Sequence, residues 1–141
     1  MRAMLQVIPI CLYALVGIIA LIMAGKSLLS PRFLRFHQAA SGKQWEDVDH
    51  GLQWVLLALL RVSGLGFLVV GLLLTTFPIV VYFQPHPFVK HAVPVVSFLY
   101  CLGLWLVNFR LYSKTKAETP WRGSLVAATA ILVGIVMSLA P

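Results

Sequence analysis

The stretch LQWVLLALLRVSGLGFLVVGLLLTTFPIVVYF, residues 52–83, contains a single charged side chain, that of Arg61. A helix that crosses a bilayer needs about 20 mostly apolar residues, because ~30 Å of hydrocarbon is crossed at ~1.5 Å per residue. The stretch is longer than one crossing needs, yet too short for two crossings and a turn. We therefore expect one tilted transmembrane helix over about residues 54–77, which bends or ends near Pro78.

Three further apolar runs predict spans over about residues 4–24, 92–109 and 121–140. The first is longer than the apolar core of a cleaved signal peptide, so we expect it to be retained as a helix. Only 11% of the residues are charged, whereas soluble domains carry about 25%. The sequence predicts an all-α membrane protein, a four-transmembrane-helix bundle that forms a single integral membrane domain over residues 1–141.

The polar segment between the first two runs is the longest in the chain. Ser30 and Pro31 are typical of a helix start and Ser41 with Gly42 of a helix end, so they predict a short interfacial helix. The next segment, residues 45–51, holds three of the four carboxylates. Such residues can bind a divalent cation or transfer protons. Their spacing matches no calcium loop, however, and a loop that caps the second helix is the favoured interpretation.

Basic residues are concentrated in two loops. The first loop carries Lys26, Arg32, Arg35 and Lys43 and the third Arg110, Lys114, Lys116 and Arg122, whereas the other side has Arg2 and Lys90. Because positively charged loops stay in the cytoplasm, we expect a bacterial inner (plasma) membrane protein with loops one and three cytoplasmic and both termini outside. The net charge of +7 lies next to lipid head groups and forms no continuous face for nucleic acid. On the outer side, residues 84–87 predict a rigid, extended connector.

Arg61 is the most informative candidate functional residue. A charge inside a span costs ~2.5–3.5 kcal/mol on insertion scales and usually faces the bundle interior or a cavity. There it would contact an anion or a quinone carbonyl, or pair with a carboxylate of residues 46–49. The favoured alternative is an arginine that snorkels to the cytoplasmic head groups. With Trp54 and Asn108 at the same head-group level, Arg61 forms a candidate site for quinone or lipid.

Small residues mark the faces on which the helices pack. In the fourth helix they recur at intervals of three or four residues: Gly123, Ala127, Ala130, Gly134 and Ser138. In the second helix Gly64 and Gly71 stand seven residues apart. Small residues let helix backbones approach in lipid, where dispersion replaces the hydrophobic drive. We expect these seams to serve packing within the bundle, with contact to a partner helix as the alternative.

No catalytic constellation is present in the sequence. The apolar runs contain no Asp, Glu or Lys, and no histidine lies in one, so a haem site is disfavoured. Without a membrane-embedded glutamate the chain differs from small multidrug carriers of similar length. Cys11 and Cys101 lie far apart and have no CxxC partner. The sequence therefore predicts a protein that is not an enzyme and has no catalytic residue, cofactor or metal site.

The overall layout, with short-linked helices and the helix start at residues 119–122, resembles small bacterial inner-membrane proteins of four helices, DoxX-type proteins among them. This resemblance covers the whole chain and implies the architecture, without implying an activity. The leading hypothesis is a non-enzymatic accessory or structural subunit of a membrane complex or homo-oligomer. One alternative is a quinone- or lipid-interacting redox accessory protein. Another is a small oligomeric transporter or channel lined by Arg61, Ser63 and Gly64. Membrane lipid is the expected partner in all three.

Overall fold

The computed structural model describes residues 2–83 and 86–139, with side chains described for 7–83, 86 and 88–139. Within these ranges the chain is all-helical and has no strand. Its helices are α1 (Arg2–Leu29), α2 (Arg35–Ser41), α3 (His50–Phe83), α4 (Pro87–Thr115) and α5 (Trp121–Leu139), and Trp45–Asp47 forms a 3-10 turn. Four of them, α1, α3, α4 and α5, are long and apolar enough to cross a membrane. Residues 84 and 85 of the expected connector, and residue 140 of the last expected span, lie outside the described residues.

Helix α3 continues through Pro78 to Phe83, so it does not end at this proline. A proline inside a helix removes one backbone N–H donor. In the turn before it, the hydroxyl groups of Thr75 and Thr76 each donate to the carbonyl four residues earlier, at 2.7 Å. The hydroxyl groups of both threonines are thus hydrogen-bonded within the helix, which continues past Pro78 to Phe83.

Helix α4 starts before the first residue of its predicted span. It begins at Pro87, because proline suits a first turn whose N–H groups lack partners within the helix. The imidazole Nδ1 of His86 accepts a hydrogen bond from the N–H of Phe88 at 3.3 Å and so caps this turn. The hydrophobic pattern predicted only the apolar part of the helix, and the polar turns at both ends lie beyond it.

The predicted helix start at Ser30 and Pro31 is wrong, because α2 begins only at Arg35. The backbone N–H of Leu34, just before the helix, donates to the imidazole Nδ1 of His37 at 3.2 Å. The predicted end is confirmed. Gly42 follows the helix with φ 67°, a left-handed conformation that glycine adopts without strain.

Helix α5 starts at Trp121, within the helix start expected at residues 119–122, and Thr119 links this start to α4. Its hydroxyl donates to the backbone carbonyl of Asn108 in α4 at 3.0 Å. The carbonyl of Pro120 accepts the first helical hydrogen bond, from the N–H of Ser124 at 3.1 Å. Thr119 therefore joins the end of one helix to the start of the next.

Helices α1 and α3 are antiparallel and in close contact. A methyl group added at any of three glycines would come within 2.8–2.9 Å of a side chain on the other helix: Gly17 against Thr75, Gly64 against Leu28 and Gly71 against Leu21. The residue numbers of each pair add to 92, so one register holds along the whole contact. Close backbone approach of this kind gives many weak dispersion contacts over a long interface.

The four long helices form a ring in chain order, α1–α3–α4–α5, whose loosest side is the one between α3 and α4. In the half of the ring away from α2, Tyr13, Leu74 and Ile131 form a closely packed core. The ring of Tyr13 meets that of Phe77 edge-on, with centroids 5.4 Å apart. Gly134 admits the Tyr13 ring, because a methyl group at this glycine would lie 2.6 Å from it.

We predict that Gly71→Ala lowers the free energy of unfolding in detergent micelles by about 1–3 kcal/mol, the usual cost of overpacking. The added methyl group would meet both the side chain and the backbone nitrogen of Leu21. Gly25→Ala is the matched control, because no atom lies within 4 Å of the position that its methyl group would take. The control should gain up to about 1 kcal/mol from helix propensity. Equal stabilities of the two variants would contradict the close α1–α3 contact.

Candidate functional site

A cavity of about 820 Å³ lies among the long helices, in the half of the bundle that contains α2. Its walls come from all four long helices, and α2 covers one end. The walls are mostly apolar, and their hydrogen-bonding side chains are those of Ser27, His37, Ser41, Ser63, Tyr100, Asn108 and Ser124. No Asp, Glu, Lys or Arg from the described part of the chain lines it. The volume falls within the ~300–1,000 Å³ of typical ligand pockets.

The cavity is closed at one end and open at the side. Val70 and Cys101 belong both to its wall and to the packed core, so the core closes the end away from α2. Leu59 of α3 and Val107 of α4 also line the cavity, yet they are 61% and 67% exposed. Leu15 of α1 and Val126 of α5 line it as well and are 56% and 68% exposed. It is therefore a blind pocket that reaches the surface of the bundle.

Tyr100 joins α3 and α4 where the two helices do meet. Its hydroxyl donates to the backbone carbonyl of Ser63 at 3.4 Å. Its ring lies edge-on to that of Phe67, with centroids 5.8 Å apart. Gly66 makes room for the phenol, since a methyl group there would lie 2.6 Å from the hydroxyl oxygen. The tyrosine thus bridges the loosest side of the ring and forms part of the cavity wall.

The segment that carries α2 is tied to α3. The buried ring of Phe33 packs edge-on against Trp45, with centroids 4.8 Å apart. The side-chain amide of Gln53 donates to the carbonyls of Trp45 at 2.9 Å and Val48 at 3.1 Å. These contacts hold α2 in place over the end of the cavity.

His37 is the titratable residue of α2 that lines the cavity. Its ring stacks on that of Phe36, with centroids 3.9 Å apart. Burial lowers the pKa of the His37 imidazole below its ordinary value, because the charged form loses hydration. Since Nδ1 accepts the N–H of Leu34, the neutral ring carries its proton on Nε2.

Asn108 and Ser124 connect α4 and α5 at the cavity wall. The side-chain Nδ2 of Asn108 donates to the hydroxyl oxygen of Ser124 at 3.3 Å. That hydroxyl in turn donates to the carbonyl of Pro120 at 3.2 Å. These bonds hold the side chain of Asn108 against α5, and the Thr119 hydroxyl, which donates to the backbone carbonyl of Asn108, adds a link between the two helices.

The structure separates the three candidate residues proposed from the sequence. Asn108 lines the cavity, whereas Arg61 and Trp54 are exposed on another face of α3. Arg61 is two residues from both Leu59 and Ser63, which line the cavity, and two residues correspond to about 200° of helical rotation. Its side chain therefore points away from the cavity.

The position of Arg61 along the bundle also follows from the α1–α3 register. Numbers that add to 92 place it level with Pro31, just beyond the end of α1. No ion pair joins Arg61 to a carboxylate of residues 46–49 among the described residues, and its side chain is exposed. Asp49 instead accepts the N–H of Leu52 at 3.2 Å and caps the start of α3, as the capping interpretation of that loop expects.

The small residues of α5 divide between two surroundings. Gly123, Ala127 and Ala130 line the cavity. Gly134 packs on Tyr13, and the hydroxyl of Ser138 donates to the Gly134 carbonyl at 2.8 Å. In α3, Gly64 and Gly71 face α1. One seam therefore supplies both a helix contact and a cavity wall.

The remaining candidate chemistry is dispersed. Within the described ranges no group of three His, Cys, Asp or Glu residues could hold a metal ion. Cys11 is exposed and Cys101 buried. The cavity residues missing from the sequence prediction are chiefly Tyr100 and His37, whose roles depend on contacts between helices. A signal for His37 existed, since it follows Phe36 in the segment predicted as an interfacial helix.

We predict that the docking of α2 weakens as the pH falls. A histidine whose folded pKa is lowered leaves stability intact above its unfolded value of about 6.5, and stability declines as the pH drops from there toward the folded pKa. Its cavity neighbours include no charged side chain among the described residues, and Arg35 on its own helix is exposed. Amide hydrogen exchange in residues 35–41, corrected for intrinsic rates, should accelerate between about pH 7.5 and 5.

The control for this measurement is the exposed histidine of the same loop. His50→Gln should retain the pH dependence, whereas His37→Gln, which cannot titrate, should abolish it. An unchanged pH dependence in His37→Gln would contradict the assignment.

No family model, no curated protein and no solved structure matches the chain. The candidate site is therefore defined by geometry alone. Its features are an apolar blind cavity, a neutral polar group formed by Asn108 and Ser124, and a helical cover that carries His37.

Proposed function

We propose that this chain is a multi-pass membrane protein without enzymatic activity that holds a lipid between its helices. The observation that carries the proposal is the cavity of about 820 Å³, which is apolar and open to the bundle surface. In a membrane this surface is covered by lipid, so a hydrocarbon chain can enter directly from the surrounding bilayer. The occupant is a membrane lipid, a class that includes isoprenoid quinones.

The cavity favours an apolar occupant. Its lining is almost entirely apolar, and several of the lining side chains are also exposed at the bundle surface. Water is a poor substitute, because apolar cavities stay dry unless polar groups can bind the water molecules. A lipid chain would fill the space and make dispersion contacts with its apolar walls.

The same geometry bears on the other two roles considered for this chain. Ser63 faces the cavity, Gly64 faces α1 and Arg61 faces outward. Their separation on three faces of α3 favours lipid binding over a pore that all three would line. An accessory role in a membrane complex is compatible with lipid binding. It is supported by the largely exposed apolar faces of α4 and α5, which lipid or another membrane protein must cover.

The proposed location is the bacterial inner membrane, with loops one and three in the cytoplasm and both termini outside. The distribution of basic residues supports this orientation. With it, the cavity opens in the cytoplasmic half and α2 lies at the cytoplasmic interface, its aromatic side facing the cavity. Arg61, level with the end of α1, then reaches the head groups by snorkelling.

We predict that the protein extracted from native membranes in mild detergent retains lipid, detectable by native mass spectrometry. Gly123→Phe should reduce the retained lipid severalfold, because Gly123 lines the cavity and its added side chain enters open space. Gly103→Phe is the matched control. This glycine is exposed, has open space around it and lies outside the cavity, so retention should be unchanged.

Each result of this measurement bears on the proposal. Loss of lipid from Gly123→Phe alone supports occupancy of the cavity, and the mass of the lipid identifies its class. Lipid that is absent from the wild-type particle, or equally retained by both variants, would refute it. Co-purification of other membrane proteins in the same spectra would support the accessory role.

We further predict opposite labelling of two cysteine substitutions in a chain with Cys11→Ser and Cys101→Ala. A membrane-impermeant maleimide should label His86→Cys in intact cells and Ser41→Cys only after lysis. Both positions are exposed at opposite ends of the bundle. The reverse pattern would overturn the proposed orientation.

A further inference from the structure

We propose that the cavity selects a lipid with an uncharged hydroxyl head, and that the side-chain amide of Asn108 recognises this head. The inference rests on the proposed function and deepens it by naming the class of ligand. It depends on three features: the hydrogen bonds that orient Asn108, the neutral lining around it, and its place at the α2 end of an apolar pocket.

The orientation of the Asn108 amide follows from its neighbours. The hydroxyl of Ser124 donates its only proton to the carbonyl of Pro120, so its oxygen must accept from Asn108. The group of Asn108 that faces Ser124 is therefore Nδ2, and the opposite assignment would leave two acceptors in contact. One N–H and the carbonyl oxygen Oδ1 of the same amide form no other hydrogen bond with the described side chains.

A free amide N–H next to a free amide oxygen is complementary to an alcohol. A hydroxyl group is both a donor and an acceptor, so it can satisfy both halves of the amide at once. A carbonyl head can use only the N–H, and a hydrocarbon end would leave both groups unpaired. An unpaired buried polar group costs about 1–3 kcal/mol, and this cost provides the selectivity.

The lining disfavours a charged head. In the described part of the chain no lysine, arginine, aspartate or glutamate faces the cavity, so a carboxylate or phosphate there would have no counter-charge. His37 lines the same cavity and has Nε2–H as a further neutral donor. The hydrogen-bonding groups of α2 and of the α4–α5 contact thus lie at one end, and the core of Val70 and Cys101 at the other. The expected ligand has its head toward α2 and its chain toward the core.

The test compares three probes of equal chain length: a fatty alcohol, the corresponding alkane and the corresponding fatty acid at neutral pH. Each would be titrated against the purified full-length protein in detergent, with displacement of a fluorescent alkyl probe as the readout. The wild-type protein should bind the alcohol about 10-fold more tightly than the alkane or the acid, as one to two net hydrogen bonds imply. Asn108→Leu should lose this preference and still bind the alkane.

A second variant separates recognition from helix packing. Thr119→Val removes a different bond between α4 and α5, the one from the Thr119 hydroxyl to the backbone carbonyl of Asn108. It leaves the Asn108 amide and its partner Ser124 in the cavity, so the preference for the alcohol should persist. If Thr119→Val abolished the preference as fully as Asn108→Leu, the effect would be structural and the inference overturned. Equal binding of all three probes to the wild-type protein would overturn the inference alone. Failure to bind any probe would refute the proposed function itself.

Discussion

The close contact of α1 and α3 is the constraint on which the rest of the structure depends. Gly17, Gly64 and Gly71 let the two backbones approach along their whole shared length, and a single register fixes them. Between α3 and α4 the close approach in the described residues is made by a side chain and not by the two backbones. There a bulky side chain, Tyr100, reaches across to Ser63 and keeps the helices apart while it connects them. A ring with one tight side and one loose side cannot fill its interior evenly, and the cavity lies where the packing opens.

The fold was predictable from the sequence to a large extent, because the four long helices follow from hydrophobic length alone. The run that includes Arg61 predicted α3, and the helix start at Trp121 was recovered. Helix ends were less predictable. α4 begins at Pro87, ahead of the apolar run, because its first turn is capped by His86 and hydrogen bonding does not require hydrophobicity. Ser30 and Pro31 carried the composition of a helix start, yet His37 supplies the acceptor that begins α2 four residues later.

The candidate site was predictable only in part. Asn108 attracted attention as a polar residue near the end of an apolar run, and it does line the cavity. The sequence could predict how deep Arg61 and Trp54 lie in the membrane, but not which face of α3 they occupy. The face depends on which side of α3 contacts α1, and this is fixed by the glycines at which the two helices approach. Tyr100 and His37 were missed for a related reason, because each becomes significant only through a neighbour distant in sequence.

The cover of the cavity follows from unequal helix lengths. α1 ends at Leu29, level with residue 63 of α3, whereas α3 extends back to His50, about 20 Å further along its axis. Beyond the end of α1 the ring therefore has one helix fewer, and the segment that carries α2 takes its place. This segment contributes aromatic rings, through Phe33 and Phe36, where a continuous helix would have contributed its own apolar face. Residues 30–34, which precede α2, form no regular helix and connect it to α1. After α2, the side-chain amide of Gln53 binds the chain at Trp45 and so ties this end to α3. The wall of the cavity that carries His37 is thus held in place by side-chain contacts and not by a continuous long helix.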